Sequence, residues 1–584
     1  MKKLLFIVPM HITFDSFLNP AHNSRVFPKA NGKVYNSLST DLPLGALSMS
    51  AYIKSHLNIE VKLIDFNAEI NALPDFPYEN FYECCIDLLT KLYPPEDFDF
   101  DCVGVSSLFS PSYNNFLDCG IASKKIYPKA LIIGGGNIPT NSYEAIYTSR
   151  ARNAYDALCF GEGEKPLLGL LTSSDINKYL ETSEQWITKE KLGSDSSQLI
   201  LKHDFIENLD DIPFFDYDLC DFEKHASNQV TSSFHSVNNG RGFHIMTSRG
   251  CPYLCTFCAS HKTHGRKMRY HSIQRVEEDL KKLINYYDAG TIVFQDDHLM
   301  ADKERVYKIL EIVRDLGVES LYQNGLTLYA LDMPMLEAFY GAGVRHLVLP
   351  VESGSERVLK VLMKKPLKLR ISERVAADCR KLGIYTNTNI LIGMPGETLS
   401  DLDEARQNLR RVPTNWFNIA CASPIVGSDM HKLALEKKYI TIENLGSDYR
   451  VASIHTEDFS PNFIQQYQYR MNLELNFVYN TDIAEGEYKL ALKAFDNVIR
   501  IRSDHAFAHY FAAFCHRELE ETQKMDIHLI KYLIYSKSAF WSGWTEEFNL
   551  AKSKEEFEMI PSGKIPSDLL YERCERHLLD LDTQ

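Results

Sequence analysis

Between residues 241 and 425 the chain repeats one unit six times, a short apolar run followed by a longer segment with helical spacing. The apolar runs fall at 243–247, 291–295, 320–324, 346–351, 386–392 and 417–422, with amphipathic stretches such as 276–287 and 303–316 between them. Strands joined through a helix run parallel, because the crossover spends its length returning to the starting edge. Six such units in tandem predict a partial, TIM-type (βα)6 barrel, and barrels of this kind collect their ligands at the carboxyl ends of the strands.

The first 165 residues alternate in the same way. Runs at 4–8, 61–65, 102–106, 131–134 and 157–160 are separated by helical patterns such as 44–55. They predict a doubly wound, flavodoxin-like (Rossmann-like) α/β domain, whose ligands lie beyond the carboxyl ends of the strands. Three loops fall there: one with Ser106 and Ser107, one with Gly134, Gly135 and Gly136, and one reading Gly161-Glu162-Gly163-Glu164. Their glycines let backbone approach a ligand closely, but the GxGxxG order of a dinucleotide site is absent.

At 584 residues the chain is long enough for three or four domains. We divide it into an α/β domain (1–170), a connector (171–240), the barrel (241–430) and a helical region (431–584). The connector carries polar stretches at 173–175, 194–197 and 232–239, and its aromatics Phe214, Phe215 and Tyr217 read as packing. A net charge of −15 without a basic run argues against nucleic-acid binding. No apolar run is long enough to span a bilayer, and the apolar start at 4–8 is too short for a signal peptide. Thirteen cysteines, an odd number mostly in apolar contexts, fit buried free thiols in a reducing cytoplasm.

Three cysteines break that pattern. Cys251, Cys255 and Cys258 form CxxxCxxC on the loop after the first barrel strand, with Phe257 just before the last. Three thiolates can hold three corners of a [4Fe–4S] cluster and leave one iron open, whereas clusters are ordinarily held by four cysteines and structural zinc by four ligands. A zinc site with His261 or His264 as fourth ligand is the alternative that the spacing leaves open.

The loop resembles that of the radical S-adenosylmethionine (SAM) superfamily, and motifs at later strand ends extend the likeness. Gln295-Asp296-Asp297-His298 ends the second strand, Val351-Glu352-Ser353-Gly354 the fourth, Gly393-Met394-Pro395-Gly396-Glu397 the fifth and Pro424-Ile425-Val426-Gly427-Ser428 the sixth. The first domain resembles the cobalamin-binding domain of one large radical SAM subfamily, through Leu42-Pro43-Leu44-Gly45, 61–65, Gly134-Gly135-Gly136-Asn137 and Gly161-Glu162-Gly163-Glu164. It departs from cobalt-ligating domains in one respect. Asp65-Phe66-Asn67-Ala68 offers no histidine where an Asp-x-His-x-x-Gly loop would, which implies cobalamin held without a histidine lower ligand.

The resemblance implies a role for each motif. The three cysteines hold a [4Fe–4S] cluster that cleaves SAM to a 5′-deoxyadenosyl radical. Phe257, Asp296 or Asp297, Glu352 with Ser353, and the Gly393–Gly396 turn surround SAM. Ser106, Ser107, Gly134, Gly135, Gly136, Gly161 and Gly163 surround cobalamin. Two uses of SAM follow, one to methylate the corrinoid and one to make the radical that takes a substrate hydrogen. The implied reaction is methylation of an unactivated carbon in a small-molecule or peptide substrate, with a reductant such as flavodoxin or ferredoxin. Cyclisation, oxidation or rearrangement with the same cofactors is the alternative, and a zinc-stabilised scaffold the non-enzymatic one. Methylthiotransfer to RNA is disfavoured, because the chain lacks a second cysteine trio and a basic C-terminal module. Ser355 reads as a helix cap, Asp302 as the cap of the helix after Ala301, and Tyr322, Asn324 and Tyr329 as residues near the substrate. Residues 484–520, through Gly486, Tyr488, Ala491, Phe495 and 506–513, resemble one and a half tetratricopeptide (TPR) units. They read as a helical cap on the barrel, with a protein partner as the other use.

Overall fold

Both faces of the first sheet are apolar, and this decides what must cover them. The strands are β1 (Lys2–Val8), β2 (Ile59–Asp65), β3 (Cys102–Ser106), β4 (Leu131–Gly135), β5 (Ala157–Cys159) and β6 (Trp186–Ile187), in the spatial order β2-β1-β3-β4-β5-β6. The first five are mutually parallel, while β6 is antiparallel to β5. Leu5, Ile7, Val103 and Ile132 face the helices Phe81–Leu92 and Tyr113–Ile126. Leu4, Phe6, Val8 and Ile133 face the helices Leu44–His56 and Glu164–Thr172. A parallel sheet covered on both sides reads as continuous apolar runs, as these strands do. The computed structural model describes residues 1–20, 24, 26–193, 199–226, 241–441 and 451–561.

The core on one face of this sheet does not stop at the domain edge. The cluster holding Leu4 and Phe6 continues through Tyr217 and Phe243 to Ile292, Leu349 and Ile390, so the back of the first sheet and the barrel share one core. The connector mediates this. Tyr217 is 1% exposed, and its hydroxyl donates to the carbonyl of His244 at 2.7 Å. Part of the connector belongs to the first domain: β6 closes its sheet and the helix Ile176–Thr182 packs beneath it. The polar stretches at 194–197 and 232–239 lie outside the described residues.

The barrel strands are β7 (Arg241–Ile245), β8 (Ala289–Phe294), β9 (Glu319–Tyr322), β10 (His346–Glu352), β11 (Tyr385–Ile392) and β12 (Trp416–Cys421), all at the predicted positions within a few residues. They form two parallel three-stranded sheets, β7-β8-β9 and β10-β11-β12. Asp302 caps the helix Lys303–Leu316 as the sequence predicts, accepting from Arg305 N at 3.1 Å. The free edge of β12 is covered from the helical region. The Asn476 side chain accepts from Phe417 N at 2.7 Å and donates to Phe417 O at 2.8 Å, which satisfies backbone groups that an edge strand leaves open. Beyond it the helices Tyr488–Ile501, Ala506–Glu518, Thr522–Tyr535 and Ala539–Glu547 pack around Phe495, Phe511 and Trp541.

Candidate active site

The cysteine loop leaves β7 through Gly250, where a φ of +98° and the 2.4 Å at which an added Cβ would meet Lys267 O exclude any side chain. Later parts of the chain hold the loop. Thr256 N donates to Met363 O (3.0 Å), Thr256 Oγ1 to Leu362 O (2.6 Å), and Met430 N to Thr256 O (2.8 Å). Cys251, Cys255 and Cys258 are partly exposed, whereas the other nine described cysteines are buried. Burial, Cys258, Asp297 and Cys255 push the Cys251 thiol up to about 12, and burial likewise raises Cys255. Three would-be thiolates close enough to repel one another are a donor set that fits a cationic iron centre, since a bound cation reverses this logic. Among the described residues no three His, Cys, Asp or Glu side chains close on a single ion. His264 Nδ1 is engaged 2.9 Å from Glu162 Oε1.

Around the loop the structure separates neighbours that the sequence treats alike. Asp296 is fully buried, accepting from Thr247 N, Thr247 Oγ1 (2.8 Å) and Ser248 Oγ (2.5 Å). It ties the end of β8 to the end of β7 and presents no exposed surface to a ligand. Asp297 stays partly exposed, 3.4 Å from Gly250 N, and faces Cys251. Glu352 has a φ of +71° at a bulge in β10, a strained conformation for a residue with a side chain. Its Oε1 lies 3.4 Å from Lys365 Nζ, and both groups act on Cys255. Ser353 is buried and its hydroxyl oxygen accepts from Ser355 N (3.1 Å), bracing the turn. Ser355 is buried too, and donates to Glu404 Oε2 (2.7 Å).

Gly393 and Gly396 both have positive φ, and Glu397 holds their turn by accepting from Gly393 N (2.6 Å) and Met394 N (2.9 Å). Phe257 is partly exposed, with Lys365 Nζ 6.0 Å from its ring centre. Tyr322 is turned away from the barrel mouth. It is buried on the helix side, stacked on Phe294 at 4.9 Å and against Phe339 at 5.0 Å. Asn324 and Tyr329 remain exposed, and Asn324 donates to Gln295 Oε1 at 2.7 Å.

At the carboxyl ends of β1, β3, β4 and β5 lies a recess. Its lining includes Ser106, Gly134, Gly135, Gly136, Gly161 and Gly163 on one side, and Arg249, Thr263 and His264 from the cysteine-loop region on the other. A Cβ on Gly135 would meet nothing nearer than 4.0 Å, so open space rather than packing keeps that position small. A glycine-walled, largely apolar recess at this edge of a doubly wound sheet fits a large planar cofactor with an extended tail. Ser107 falls outside the lining: its hydroxyl meets Ser112 Oγ at 2.5 Å and its carbonyl accepts from Ile138 N.

The glutamates of the third loop do something the sequence does not announce. Glu162 receives Arg269 through both nitrogens (2.9 and 2.6 Å), His264 Nδ1, and Arg249 at 3.4 Å. Glu164 receives Arg249 Nη2 at 2.7 Å and Ser48 Oγ at 2.6 Å. Arg249 and Arg269 flank the cysteine loop in sequence, so this buried cage joins the two halves of the site. Its arginines hold the Glu162 carboxyl well below the usual carboxylate range, against the opposing effect of burial. The barrel's closing segment docks there as well, with Val426 N donating to Ser110 Oγ (3.1 Å) and Asn137 Nδ2 to Val426 O (3.1 Å).

Comparison with known proteins matches residues 245–409 to the radical SAM superfamily and residues 41–171 to the B12 binding domain. The chain is 26% identical to the cytidylyl-2-hydroxyethylphosphonate methyltransferase of Streptomyces wedmorensis, over 69% of this chain and 79% of that protein. It is 24% identical to an uncharacterized methyltransferase of Pyrococcus horikoshii, over 69% and 83%. Among solved structures, the cobalamin-dependent S-adenosylmethionine radical enzyme OxsB superposes with a TM-score of 0.58 at 15% identity, over 99% of this chain and 76% of that one, and so shares the fold.

Proposed function

Taking as premise that this chain belongs to the radical SAM enzymes that carry a B12-binding domain, we propose that it transfers a methyl group to an unactivated carbon of a small-molecule or peptide substrate. Its cofactors are a [4Fe–4S] cluster, SAM and cobalamin. When bound, they supply a 5′-deoxyadenosyl radical and a methyl donor, which together suit a carbon with no lone pair to attack SAM directly. The observation that carries this reading is the cavity lined jointly by the glycine loops of the first domain and by Arg249, Thr263 and His264 beside the cysteine loop.

In this reading Cys251, Cys255 and Cys258 hold the cluster. Asp297 and Glu352 accept hydrogen bonds from the SAM amino group or ribose, with Phe257 and the Gly393–Gly396 turn beside the adenine. Ser106, Gly134, Gly135, Gly136, Gly161 and Gly163 give the corrinoid room. Asn324 and Tyr329 stand at the barrel mouth where a substrate enters. A one-electron donor such as flavodoxin or ferredoxin supplies the reducing equivalent, and the TPR-like helices offer a surface for a protein partner.

The test is anaerobic purification with iron, sulfide and hydroxocobalamin supplied, followed by metal analysis, with Cys251, Cys255 and Cys258 changed to Ala as control. Four irons and one cobalt per chain, with iron lost in the control, support the two-cofactor reading. Zinc in place of iron overturns it. With substrate, a product heavier by one methylene unit supports methyl transfer, and an unchanged carbon count overturns that part alone.

A further inference from the structure

Between Cys251 and Cys255 the thiol loop meets solvent. Pro252 and Leu254 are both exposed there, Leu254 to 56%. A second aliphatic side chain stands in water nearby. Val361, in the helical turn Val358–Leu362, is 57% exposed and directly precedes Leu362, whose carbonyl accepts from Thr256 Oγ1. Each of the two lies within two residues of the hydrogen bonds that join this turn to the cysteine loop.

The charge around them runs against the rest of the molecule. The chain as a whole carries −15, yet residues 251–266 and 358–365 hold five lysines and arginines and no aspartate or glutamate. Lys365 is turned inward, 3.4 Å from Glu352. Arg266, Lys360 and Lys364 are exposed and Lys262 partly so, and none of these four forms an ion pair among the described residues. Arg266 lies across the tip of the loop, where its guanidinium donates to Tyr253 O. Lys364 directly follows Met363, whose carbonyl accepts from Thr256 N at 3.0 Å. Burial, then Arg266 and Lys262, hold the neighbouring His261 below the usual imidazole range, and Asp429 opposes them more weakly.

We propose that Leu254 and Val361, ringed by Lys262, Arg266, Lys360 and Lys364, form the docking surface for an acidic one-electron carrier protein. The inference rests on the iron–sulfur reading of the cysteine loop. An apolar centre with a charged rim is the anatomy of a protein interface. Its modest size suits the brief encounters of redox partners, which bury less surface than stable complexes do. Unpaired cations on an acidic protein select a partner of negative surface and steer it to this one face. A carrier seated on Leu254 has only the cysteine loop between its own redox group and the cluster. One electron passes from the reduced carrier to the cluster, and no covalent bond forms or breaks.

The test uses the full chain reconstituted anaerobically with its cluster, and follows cluster reduction by stopped-flow absorbance with two reductants. One is a reduced bacterial flavodoxin, an acidic flavin carrier. The other is photoreduced deazariboflavin, which is small and uncharged. In Arg266→Glu and in the double variant Lys360→Glu with Lys364→Glu, the flavodoxin rate at low salt should fall at least about tenfold, with the deazariboflavin rate unchanged. In the parent protein, added salt should slow flavodoxin and leave deazariboflavin unaffected. A flavodoxin rate that ignores the charge reversals overturns the proposal. Where a variant folds poorly and both reductants slow alike, the parent decides: a flavodoxin rate that does not fall with salt overturns the proposal, and one that falls supports it. A parent chain that takes up no iron overturns the cluster reading and this proposal with it, whereas iron content stays at the parent level when the docking surface alone is wrong.

Discussion

Arg269 grips Glu162 through both guanidinium nitrogens, at 2.9 and 2.6 Å, with each side chain 2% exposed. The two residues stand 107 positions apart, and their pairing fastens the glycine loop of the first domain to the two-residue strand Arg269–Tyr270 that follows the cysteines.

Glu162→Gln leaves two buried arginines facing a neutral amide, and should cost about 3–5 kcal/mol, the usual penalty for removing one partner of a buried pair. Arg269→Lys should also destabilise, because an ammonium cannot reproduce the two-pronged contact. The Glu162 carboxyl titrates lower in the folded protein than in the unfolded chain. Its stabilisation is therefore present above the ordinary carboxylate range and lost as pH falls through its own depressed value. Urea unfolding of both variants and of the parent across pH 3–8 checks the magnitude and the sign.

Gly134 and Gly135 are adjacent but serve different ends. A Cβ on Gly134 would lie 2.6 Å from Phe116 Cζ and 2.8 Å from Leu158 Cδ2, so Gly134→Ala should destabilise by about 1–3 kcal/mol through overpacking. Gly135→Ala adds a methyl group to open space at the cavity wall. It should leave the thermal midpoint unchanged and reduce the cobalt retained after loading. Calorimetry and metal analysis on the two variants should show opposite patterns.

Asp296 and Asp297 should separate in the same manner. Asp296→Ala removes the acceptor that four donor contacts share at the end of β8, and the protein should lose cooperative unfolding at ordinary temperature. Asp297→Ala should keep the parent's thermal midpoint and weaken SAM binding about tenfold, the equivalent of one hydrogen bond to a charged group. Titration calorimetry with SAM on the reconstituted protein measures the second effect.

Burial pushes the Glu397 carboxyl up to about 7. The folded protein keeps this proton where the unfolded chain has already released it. Stability should therefore fall as pH rises from about 4.5 to about 7, by up to about 3 kcal/mol, and level off above that. Glu397→Gln retains an oxygen for the N–H groups of Gly393 and Met394 and should abolish this slope. Unfolding midpoints measured from pH 4.5 to 8 check it.

The strands and their functional ends were legible because short apolar runs bounded by glycine and serine give both the element and its carboxyl terminus. The antiparallel strand Trp186–Ile187 was not, since two residues carry no periodicity. Nor was the hairpin of Val26–Pro28 with Val34–Asn36. Within the site, the residue types were readable but the partners were not. Arg249 reads as a local charge beside the cysteines, yet it reaches Glu164 across 85 positions. Asp296 and Ser107 sit in suggestive motifs and spend their polar atoms on neighbouring loops. Spacing reports which face of an element is buried. It does not report which donor arrives first at an acceptor, and that is what separates a ligand from a brace.

The anchoring of Thr256 has a consequence for how the enzyme is made. A ribosome delivers the three thiols long before it delivers what holds them in place: Leu362 lies 106 positions downstream, and Met430 further still. Until those segments emerge and fold, the cysteine loop lacks the bonds that define its shape. The arrangement of the three thiols therefore belongs to the finished barrel and not to the nascent chain.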